Sequence, residues 1–447
     1  MTTEPVPVSA SATTPVTAPG ATPVAAPAAT PGATPVAAPT ATPATAPVTT
    51  RVATLADTLT GDDLPAYIYD LTALAEHAQA VRAALPPAVE LYYAAKANPA
   101  PEILRALAPH VTGYEVSSGG ESAHVREAVP GHPLAFGGPG KTETELRRAL
   151  KLGVERFHVE SEHELRQLAA RAHEEGRTVD ILLRVNLPLA DDALGAAALA
   201  MGGRPSPFGL DPDHIVERCL PLLTPDGPLR LRGIHAHLAS GLDAPALLAV
   251  ATRVTDWTRA LSARHGLRLT EVNVGGGMGV DYARPDHRFD WAAYGRGLAG
   301  IAERNPDLTL RIEPGRALTV YCGWYVTEVL DLKHSGGEPY AVLRGGTHHL
   351  RTPAAKGHDH PFAVLPADTW THPWPRPCVR NEPVTLVGQL CTPKDVLARR
   401  APAAGLRIGD RVAFALAGAY AWNISHHDFL MHPRPGFHYA STREAHS

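Results

Sequence analysis

A strand–helix unit that repeats at nearly constant spacing constrains the fold more than any other feature of the chain. Short apolar runs typical of strands begin near residues 91, 113, 134, 156, 179, 231, 269 and 309. The first five starts are 22, 21, 22 and 23 residues apart, and helical patterns such as ETELRRALKLG lie between the runs. Eight units in one series predict a (β/α)8 TIM barrel over residues 70–320. A doubly wound open sheet is the competing interpretation.

Outside the predicted barrel the sequence pattern changes. Beyond residue 320 come GWYVTEVLDLKH, PYAVLRGG, EPVTLVGQLC and GDRVAFALAGAY, which predict a β-rich domain over 321–447. The stretch LPAYIYD, within 51–69, is expected to add a strand to that domain. Residues 1–50 are mostly Ala, Thr, Pro and Val, with Glu4 as their one charge. So many prolines and such small side chains predict a disordered tail.

Charge and cysteine content limit the classes of partner. The net charge of −4 gives no reason to expect nucleic acid or an anionic membrane. No apolar run approaches the roughly 20 residues that span a bilayer, and no basic-then-apolar signal peptide is visible. The cysteines show no CxxC spacing, which argues against a disulfide framework or a structural zinc site and favours the cytoplasm. They are Cys219, Cys322, Cys378 and Cys391.

Each predicted strand ends in polar or glycine residues, although its interior is apolar. Active sites of TIM barrels lie at the carboxyl ends of the strands, so these residues are expected to line one site. They are Lys96, Glu115, Ser117, Gly137, Gly138, Ser161, Arg184, Asn186, His237, Ser240, Gly275, Gly276, Gly277, Glu313 and Arg316.

The segment VGGGMG, at 274–279, is a candidate phosphate site. Glycines let the backbone approach an anion closely and direct its N–H groups at it. A flexible turn explains a lone glycine run equally well. However, Arg316 in EPGR, at the end of the next strand, would lie beside this turn and could pair with the same phosphate.

A phosphate site at the mouth of a barrel, together with a lysine on the first strand, indicates pyridoxal phosphate. Lys96 would bond to the aldehyde of this cofactor, since a lysine in an apolar setting loses part of its preference for the charged form. Glu313 would pair with the pyridine nitrogen and His237 would stack on the ring. Taken alone, Lys96 fits an ordinary salt-bridged lysine better.

An ordered set of motifs makes the chain resemble the fold-type III pyridoxal-phosphate decarboxylases, the group of diaminopimelate, ornithine and arginine decarboxylases. The motifs are YYAAKANP, GYEVSSGGE, HVESEHEL, SPFGLD, IHAHLASGL, VNVGGGMG, IEPGR, QLCTPKDVL and GAYAWNIS. The resemblance covers about 65–430. It implies decarboxylation of an amino acid by a homodimer with shared active sites, in which a loop of one subunit enters the site of its partner.

The resemblance also implies a role for each matching residue. The positions that match cofactor contacts are Lys96, Glu115, His237, Ser240, Gly276, Gly277, Glu313, Arg316 and Tyr420. The positions that match substrate contacts are Arg184, Arg351 and Asp395. Cys391, in CTPKD, matches the proton donor on the loop that crosses the dimer interface. The implied catalytic residues are thus Lys96, His237 and Cys391.

Departures from the family pattern bear on the substrate. Diaminopimelate decarboxylases usually carry an acidic residue after the cysteine, where it helps bind the distal amino group, but this chain has Thr392. Such a site would accept a carboxylated distal end. The residues around Arg351 also differ from the diaminopimelate pattern. CTPKDVL, GGTHHLR and GAYAWNISHHDFLMHP are more similar to enzymes that decarboxylate siderophore intermediates of the citryl-diaminopropionate type. The other candidate substrate is meso-diaminopimelate.

Three alternatives remain open. An amino-acid racemase of the same fold would pair the pyridine nitrogen with arginine and use a tyrosine base, and Glu313 argues against it. A regulatory relative without cofactor would not need Lys96, Glu313 and the glycine turn. A metal site is suggested by HHDFLMH, but without a second cluster of ligands we expect none and interpret these histidines as surface or interface residues. They are His426, His427 and His432.

Overall fold

The computed structural model describes residues 48–188, 199–352, 355 and 357–441. Its strands, numbered along the chain, are β1 (Ala66–Asp70), β2 (Val89–Ala94), β3 (Gly113–Val116), β4 (Leu134–Phe136), β5 (Arg156–Val159), β6 (Val179–Arg184), β7 (Leu199–Ala200), β8 (Leu229–His235), β9 (Ala239–Ser240), β10 (Glu271–Asn273), β11 (Thr309–Ile312), β12 (Gly323–Ser335), β13 (Glu338–Leu343), β14 (Phe362–Leu365), β15 (Cys378–Val379), β16 (Glu382–Val387), β17 (Val396–Ala403), β18 (Leu406–Arg407), β19 (Arg411–Phe414) and β20 (Gly436–Ala440).

The α-helices alternate with the first half of these strands. They are α1 (Thr50–Thr58), α2 (Leu71–Ala84), α3 (Pro101–Leu107), α4 (Gly119–Ala128), α5 (Glu143–Lys151), α6 (Glu162–Glu174), α7 (Pro212–His214), α8 (Ala244–His265), α9 (Trp291–Arg304) and α10 (Arg316–Thr319). In the part of the chain described here, no helix is long and apolar enough to cross a membrane. The predicted tail falls on residues outside the described ranges, except that α1 already begins at Thr50.

Eight parallel strands close into a barrel, which confirms the predicted fold class. The order β2-β3-β4-β5-β6-β8-β10-β11 follows the chain, and β11 pairs with β2 through Ile312 opposite Leu91. That closing pair excludes a doubly wound open sheet. The strands start within two residues of the eight predicted positions. The barrel strands contribute the large buried side chains Tyr93, Tyr114, Phe136 and Phe157, each without exposure to solvent.

Polar side chains set the start of the helices that follow the strands. The Thr142 hydroxyl accepts a hydrogen bond from the backbone N–H of Glu145, and the Glu145 carboxylate accepts one from the Thr142 N–H, forming a capping box at α5. Ser118 and Ser161 cap α4 and α6 in a similar way. β3 and β5 are therefore followed closely by a helix. Because the eight barrel strands are parallel, their carboxyl ends open on the same side of the barrel.

A second sheet is built from segments on both sides of the barrel in the sequence. Its main path runs β14-β19-β12-β13-β16-β17, and β1 joins it by pairing with β12 and β20. In β1, Tyr67 lies opposite Tyr325 of β12 and Phe437 of β20. The stretch Ala66–Asp70 therefore belongs to this sheet although it precedes the first barrel strand. Together the two parts confirm a TIM barrel with a β-rich sheet.

Candidate active site

The predicted lysine lies at the carboxyl end of β2, in a single 3₁₀ turn over Ala95–Ala97. Its Nζ donates to Glu115 Oε2 at 2.5 Å and lies 3.4 Å from Ser117 Oγ, both at the end of β3. The Lys96 side chain is 46% exposed, whereas that of Glu115 is 6% exposed. The strand register explains the pair, because Ala94 lies directly opposite Glu115.

The prediction that Lys96 lies in an apolar setting is wrong. Burial opposes its ammonium form, but the charge of Glu115 and the hydrogen bond to it outweigh that effect and raise the pKa of Lys96 above its usual value. The amine is therefore held protonated, with Glu115 as the nearest acceptor for its proton. The lysine is salt-bridged and also lies at the mouth of the barrel. The interpretation as a salt-bridged lysine therefore does not exclude the interpretation as a cofactor-binding lysine.

A neutral histidine lies beside the glycine turn. His237 Nδ1 accepts a hydrogen bond from the Gly276 N–H at 3.1 Å, and its Nε2 lies 3.3 Å from Ser240 Oγ. Burial, with the nearby cations Arg184 and Lys96, lowers the pKa of His237 to about 3. An uncharged imidazole fixed through one nitrogen is suited to packing its face on an aromatic ring.

The glycine turn follows β10 and leaves little space around its backbone. Gly277 has a φ of +100°, and a Cβ there would overlap the carbonyl oxygen of Ala239. The turn is therefore held against the segment after β8, where Ser240 lies, and its backbone is free of side chains at the barrel mouth. This is the arrangement expected of a phosphate cradle.

Replacing Gly277 with alanine is expected to destabilise the fold by at least about 3 kcal/mol, since both its φ and the space around it exclude a side chain. Gly266, which ends α8 at a φ of +63° with open space around it, is the matched control and should cost only about 1 to 2 kcal/mol. Chemical denaturation of both variants, with cofactor titration, measures the difference. Equal losses would contradict the close contact inferred at Gly277.

Glu313, at the end of β11, is a buried carboxylate with two hydrogen-bonding neighbours. Asn273 Nδ2 donates to Oε1 at 2.7 Å, and His235 Nε2 lies 3.3 Å from Oε2. The ring of His235 stacks on His158 at 4.1 Å, and burial lowers the pKa of both histidines well below the usual value. Glu313 is thus oriented by neutral partners and remains available to a cationic ring nitrogen.

The group His158, His235 and Glu313 has ligand atoms within 4.8 Å of one another, among the residues described. Its two imidazoles are nearly parallel, with an interplanar angle of 12°. Their lone pairs therefore do not converge on one ion as metal ligands do. The arrangement fits support of Glu313 better than metal binding.

Arg316, predicted to lie beside the glycine turn, follows β11 and is held on two sides. Its Nη1 donates to the Tyr282 hydroxyl at 2.7 Å, and its Cζ lies 4.6 Å from the centre of the Tyr420 ring. Tyr420 reaches the barrel from the second sheet, where its N–H donates to the Ala97 carbonyl oxygen at 2.8 Å. The guanidinium is therefore oriented by two tyrosines, one after the glycine turn and one from the second sheet.

Sequence reasoning missed several of these supporting residues. Tyr282 follows the glycine turn by five positions, and its spacing alone did not connect it with Arg316. His235 and Asn273 each lie two positions before a predicted site residue, His237 and Gly275. His235 and Asn273 are the last residues of β8 and β10, and their place at the carboxyl ends of barrel strands was a usable signal.

The three predicted substrate residues lie in different surroundings. Arg184 is buried and donates to Glu160 Oε1 at 2.7 Å, close enough to His237 to lower its pKa. Arg351 is exposed, and the nearest acceptor of its guanidinium is the Ile424 carbonyl oxygen at 3.5 Å.

Asp395 does not fit its predicted role in substrate binding. It is 2% exposed, and its Oδ1 accepts from the Thr347 N–H at 2.6 Å and hydroxyl at 2.8 Å. Its Oδ2 accepts from the Leu390 N–H at 2.8 Å. With both oxygens engaged and no access to solvent, this carboxylate braces the loop between β16 and β17. Cys391 lies on that loop as a free, exposed thiol, followed by Thr392.

These residues fit pyridoxal phosphate. The site offers one amine, a buried carboxylate with hydrogen-bonding neighbours, a neutral imidazole, and a glycine turn beside an oriented guanidinium. A Cβ at Gly275, Gly276 or Gly277 would overlap neighbouring atoms, so the close packing of this turn requires glycine at all three positions. The four features correspond to the aldehyde, pyridine nitrogen, ring face and phosphate of the cofactor.

Comparison with known proteins agrees with this chemistry. Residues 71–320 match the family described as pyridoxal-dependent decarboxylase, pyridoxal binding domain. The chain is 41% identical over 379 residues to the Staphylococcus aureus 2-[(L-alanin-3-ylcarbamoyl)methyl]-2-hydroxybutanedioate decarboxylase, covering 83% of this chain and 93% of the relative. It is 33% identical over 382 residues to a Vibrio cholerae diaminopimelate decarboxylase, covering 83% and 86%.

A solved structure gives the same result for the fold. Diaminopimelate decarboxylase from Helicobacter pylori, complexed with L-lysine, superimposes with a TM-score of 0.75 at 25% identity, covering 87% of this chain and 93% of that one. The resemblance stated from the motifs is thereby confirmed. The chain belongs to the pyridoxal-dependent decarboxylases, and it is an amino-acid decarboxylase with pyridoxal phosphate as its cofactor.

Proposed function

We propose that the substrate is an α-amino carboxylate whose distal end carries carboxylates, of the citryl-diaminopropionate type. The observation that carries this proposal is Thr392, which follows Cys391 where an acidic residue would bind a distal ammonium group. Exposed Arg351, whose guanidinium contacts the Ile424 carbonyl oxygen, is the cation we propose for that end of the substrate. The 41% identity to the Staphylococcus aureus enzyme, whose name describes such a substrate, supports the proposal. The competing substrate is meso-diaminopimelate.

Release of CO2 from both substrates tests this proposal. We expect kcat/KM for the citryl conjugate to exceed that for meso-diaminopimelate by about 100-fold or more, because a distal ammonium group would lack a charged partner. L-Lysine, which is the product from meso-diaminopimelate, should be absent from the product mixture of the citryl reaction. A higher kcat/KM for meso-diaminopimelate would overturn the assignment, and inversion at Cα without CO2 would favour a racemase.

Each residue at the barrel mouth has a proposed task in this reaction. When bound, pyridoxal phosphate withdraws the electrons that CO2 leaves behind. Lys96 would hold the cofactor covalently, with Glu115 accepting or returning the proton at its Nζ. Glu313 would hold a proton on the ring nitrogen, because a buried carboxylate favours a neighbouring cation. The residues proposed to hold the phosphate are Ser240, Gly276, Gly277, Arg316 and Tyr420.

We propose that the active protein is a homodimer whose sites are shared. The exposed thiol of Cys391 lies on the second sheet, on a loop braced by Asp395. To act as proton donor it must reach an active site at the mouth of a barrel, and we propose that this is the barrel of the partner subunit. The segment after Tyr420 carries apolar side chains suited to an interface between copies. They are Ile424, Phe429, Leu430 and Met431, exposed by 37%, 44%, 43% and 90%. A free catalytic thiol also favours the reducing cytoplasm as the location.

A further inference from the structure

Arg316 is a cation at the barrel mouth that no carboxylate neutralises. Among the residues that the structure describes it forms no ion pair, whereas the buried Arg184 is paired with Glu160. Its guanidinium is held instead by the Tyr282 hydroxyl, 2.7 Å from Nη1, and by the face of the Tyr420 ring. Burial raises the pKa of both tyrosines, so both are uncharged at pH 7. The charge of Arg316 is therefore oriented and remains available to an anion.

Tyr282 is suited to orienting a guanidinium without neutralising it. It lies in the loop after the glycine turn and is 7% exposed. Its hydroxyl accepts the N–H of Arg316 with an oxygen that carries no net charge. An aspartate or glutamate at this position would form an ion pair with Arg316 and reduce its attraction for a phosphate. The residue type therefore favours binding of an anion by Arg316.

Two histidines next to the second sheet pack against the Tyr282 ring. The His358 ring stacks on it, with centroids 4.6 Å apart and an interplanar angle of 28°, and the centroid of the His360 ring lies 5.4 Å away. Both histidines lie just before β14, a strand of the second sheet. The Tyr282 side chain thus contacts Arg316 through its hydroxyl and the segment before β14 through its ring.

The histidine segment is anchored to the second sheet and carries no charge that would repel Arg316. The His360 N–H donates to the Leu397 carbonyl oxygen at 3.0 Å, and its ring packs edge-on against Phe414. His360 is 1% exposed, and burial, with the nearby His358 and Arg316, lowers its pKa to about 3. Its ring is therefore neutral at pH 7 and serves as a rigid wall behind the tyrosine.

We propose that Tyr282 positions Arg316 for the phosphate of the cofactor, and that His358 and His360 hold Tyr282 in that place. This inference rests on the proposed role of Arg316 in holding the phosphate and adds a part for the second sheet. A guanidinium that is fixed before binding loses less conformational freedom when an anion arrives. The contact should therefore raise the affinity for a phosphorylated ligand and leave the affinity for its unphosphorylated counterpart unchanged.

A purely structural role is the competing interpretation, because the Tyr282 ring also packs between the barrel and the second sheet. Tyr282→Phe separates the two interpretations. Phenylalanine retains the ring and its stack on His358 and removes only the hydroxyl that Arg316 uses. Loss of packing would weaken every ligand of the barrel mouth, whereas loss of the positioning contact weakens only ligands that carry a phosphate.

Equilibrium dialysis of the full chain against pyridoxal phosphate, and against pyridoxal, tests the inference. We expect Tyr282→Phe to raise the Kd of pyridoxal phosphate about tenfold or more, because a hydrogen bond to a charged group is lost. The Kd of pyridoxal, which has no phosphate, should stay unchanged. His358→Ala, which removes the stacked ring and leaves the hydroxyl, should raise the Kd of pyridoxal phosphate about threefold. Tyr340→Phe, half-buried on β13, is the matched control and should change neither value.

Arg316→Gln separates this inference from the role proposed for Arg316. If Arg316→Gln raises the Kd of pyridoxal phosphate alone while Tyr282→Phe leaves it unchanged, Tyr282 is not the positioning residue and the role of Arg316 stands. An equal rise for pyridoxal and pyridoxal phosphate in Tyr282→Phe would also overturn the inference, since it would reveal a structural role. An unchanged Kd of pyridoxal phosphate in Arg316→Gln would overturn the proposed phosphate contact itself, and this inference with it.

Discussion

Replacing Lys96 with alanine is expected to lower decarboxylation by more than about 10³-fold, the scale on which loss of a covalently acting side chain is felt. The variant should also lose the visible absorbance that borohydride removes from the wild-type protein. The physical reason is that Lys96 is the amine at the mouth of the barrel, held 2.5 Å from Glu115. Peptide mapping after borohydride reduction should place the cofactor on residue 96.

Lys151→Ala is the matched control for that experiment. Lys151 lies in the last turn of α5 with its side chain 61% exposed and its amine 3.6 Å from Glu175, so its removal should leave activity unchanged. Borohydride attachment of the cofactor to any other lysine in the Lys96→Ala variant would contradict the assignment. So would retention of more than about a tenth of the wild-type rate.

Mixing two inactive variants should restore activity if the sites are shared between subunits. Cys391→Ala is expected to slow turnover about 100-fold or more while leaving the cofactor bound, because it removes a proton donor. In a mixed dimer of Lys96→Ala and Cys391→Ala chains, one site carries both substitutions and the other carries neither. Random exchange of subunits should therefore return about a quarter of the wild-type activity.

The same mixture distinguishes a shared site from a site within one chain. If Lys96 and Cys391 of one chain acted together, every site in the mixture would carry one substitution and activity would stay at background. Met431→Asp, which charges the most exposed apolar side chain of the expected interface, provides a second readout. This substitution should convert the dimer to monomers, as measured by light scattering, and should lower the activity in proportion to the dimer lost. An unchanged dimer would exclude that face as the interface.

The repeat of strand and helix was sufficient to predict the barrel, because its strands are short and several of them, such as β3 and β5, are buried and followed at once by a capped helix. The site residues that lie at the carboxyl ends of the strands could be predicted from the sequence. What the sequence could not give was the distance between side chains on neighbouring strands. Glu115 lies beside Lys96 because Ala94 and Glu115 are opposite one another, and this register turned an expected apolar setting into an ion pair.

Residues on loops were predicted less well than residues on strands. Asp395 was assigned to the substrate from its place in CTPKD, but its partner Thr347 lies 48 residues earlier in the chain. No local sequence pattern predicts a hydrogen bond between residues that far apart in the chain. His348 shows the converse case, since its burial and the lack of a hydrogen-bond partner for its ring nitrogens among the described residues are evident only in the assembled structure.

The pairing of β1 has a consequence for how the protein is made. As the ribosome extends the chain, all eight barrel strands have emerged by Ile312, so the barrel can close early. Tyr67, Ile68 and Tyr69 must meanwhile wait for β20, about 370 residues downstream of β1, before both edges of their strand are paired. Until then an apolar strand with open edges is exposed to other nascent chains. Slow synthesis or a shortage of chaperones should therefore cause aggregation through β1 rather than through the barrel.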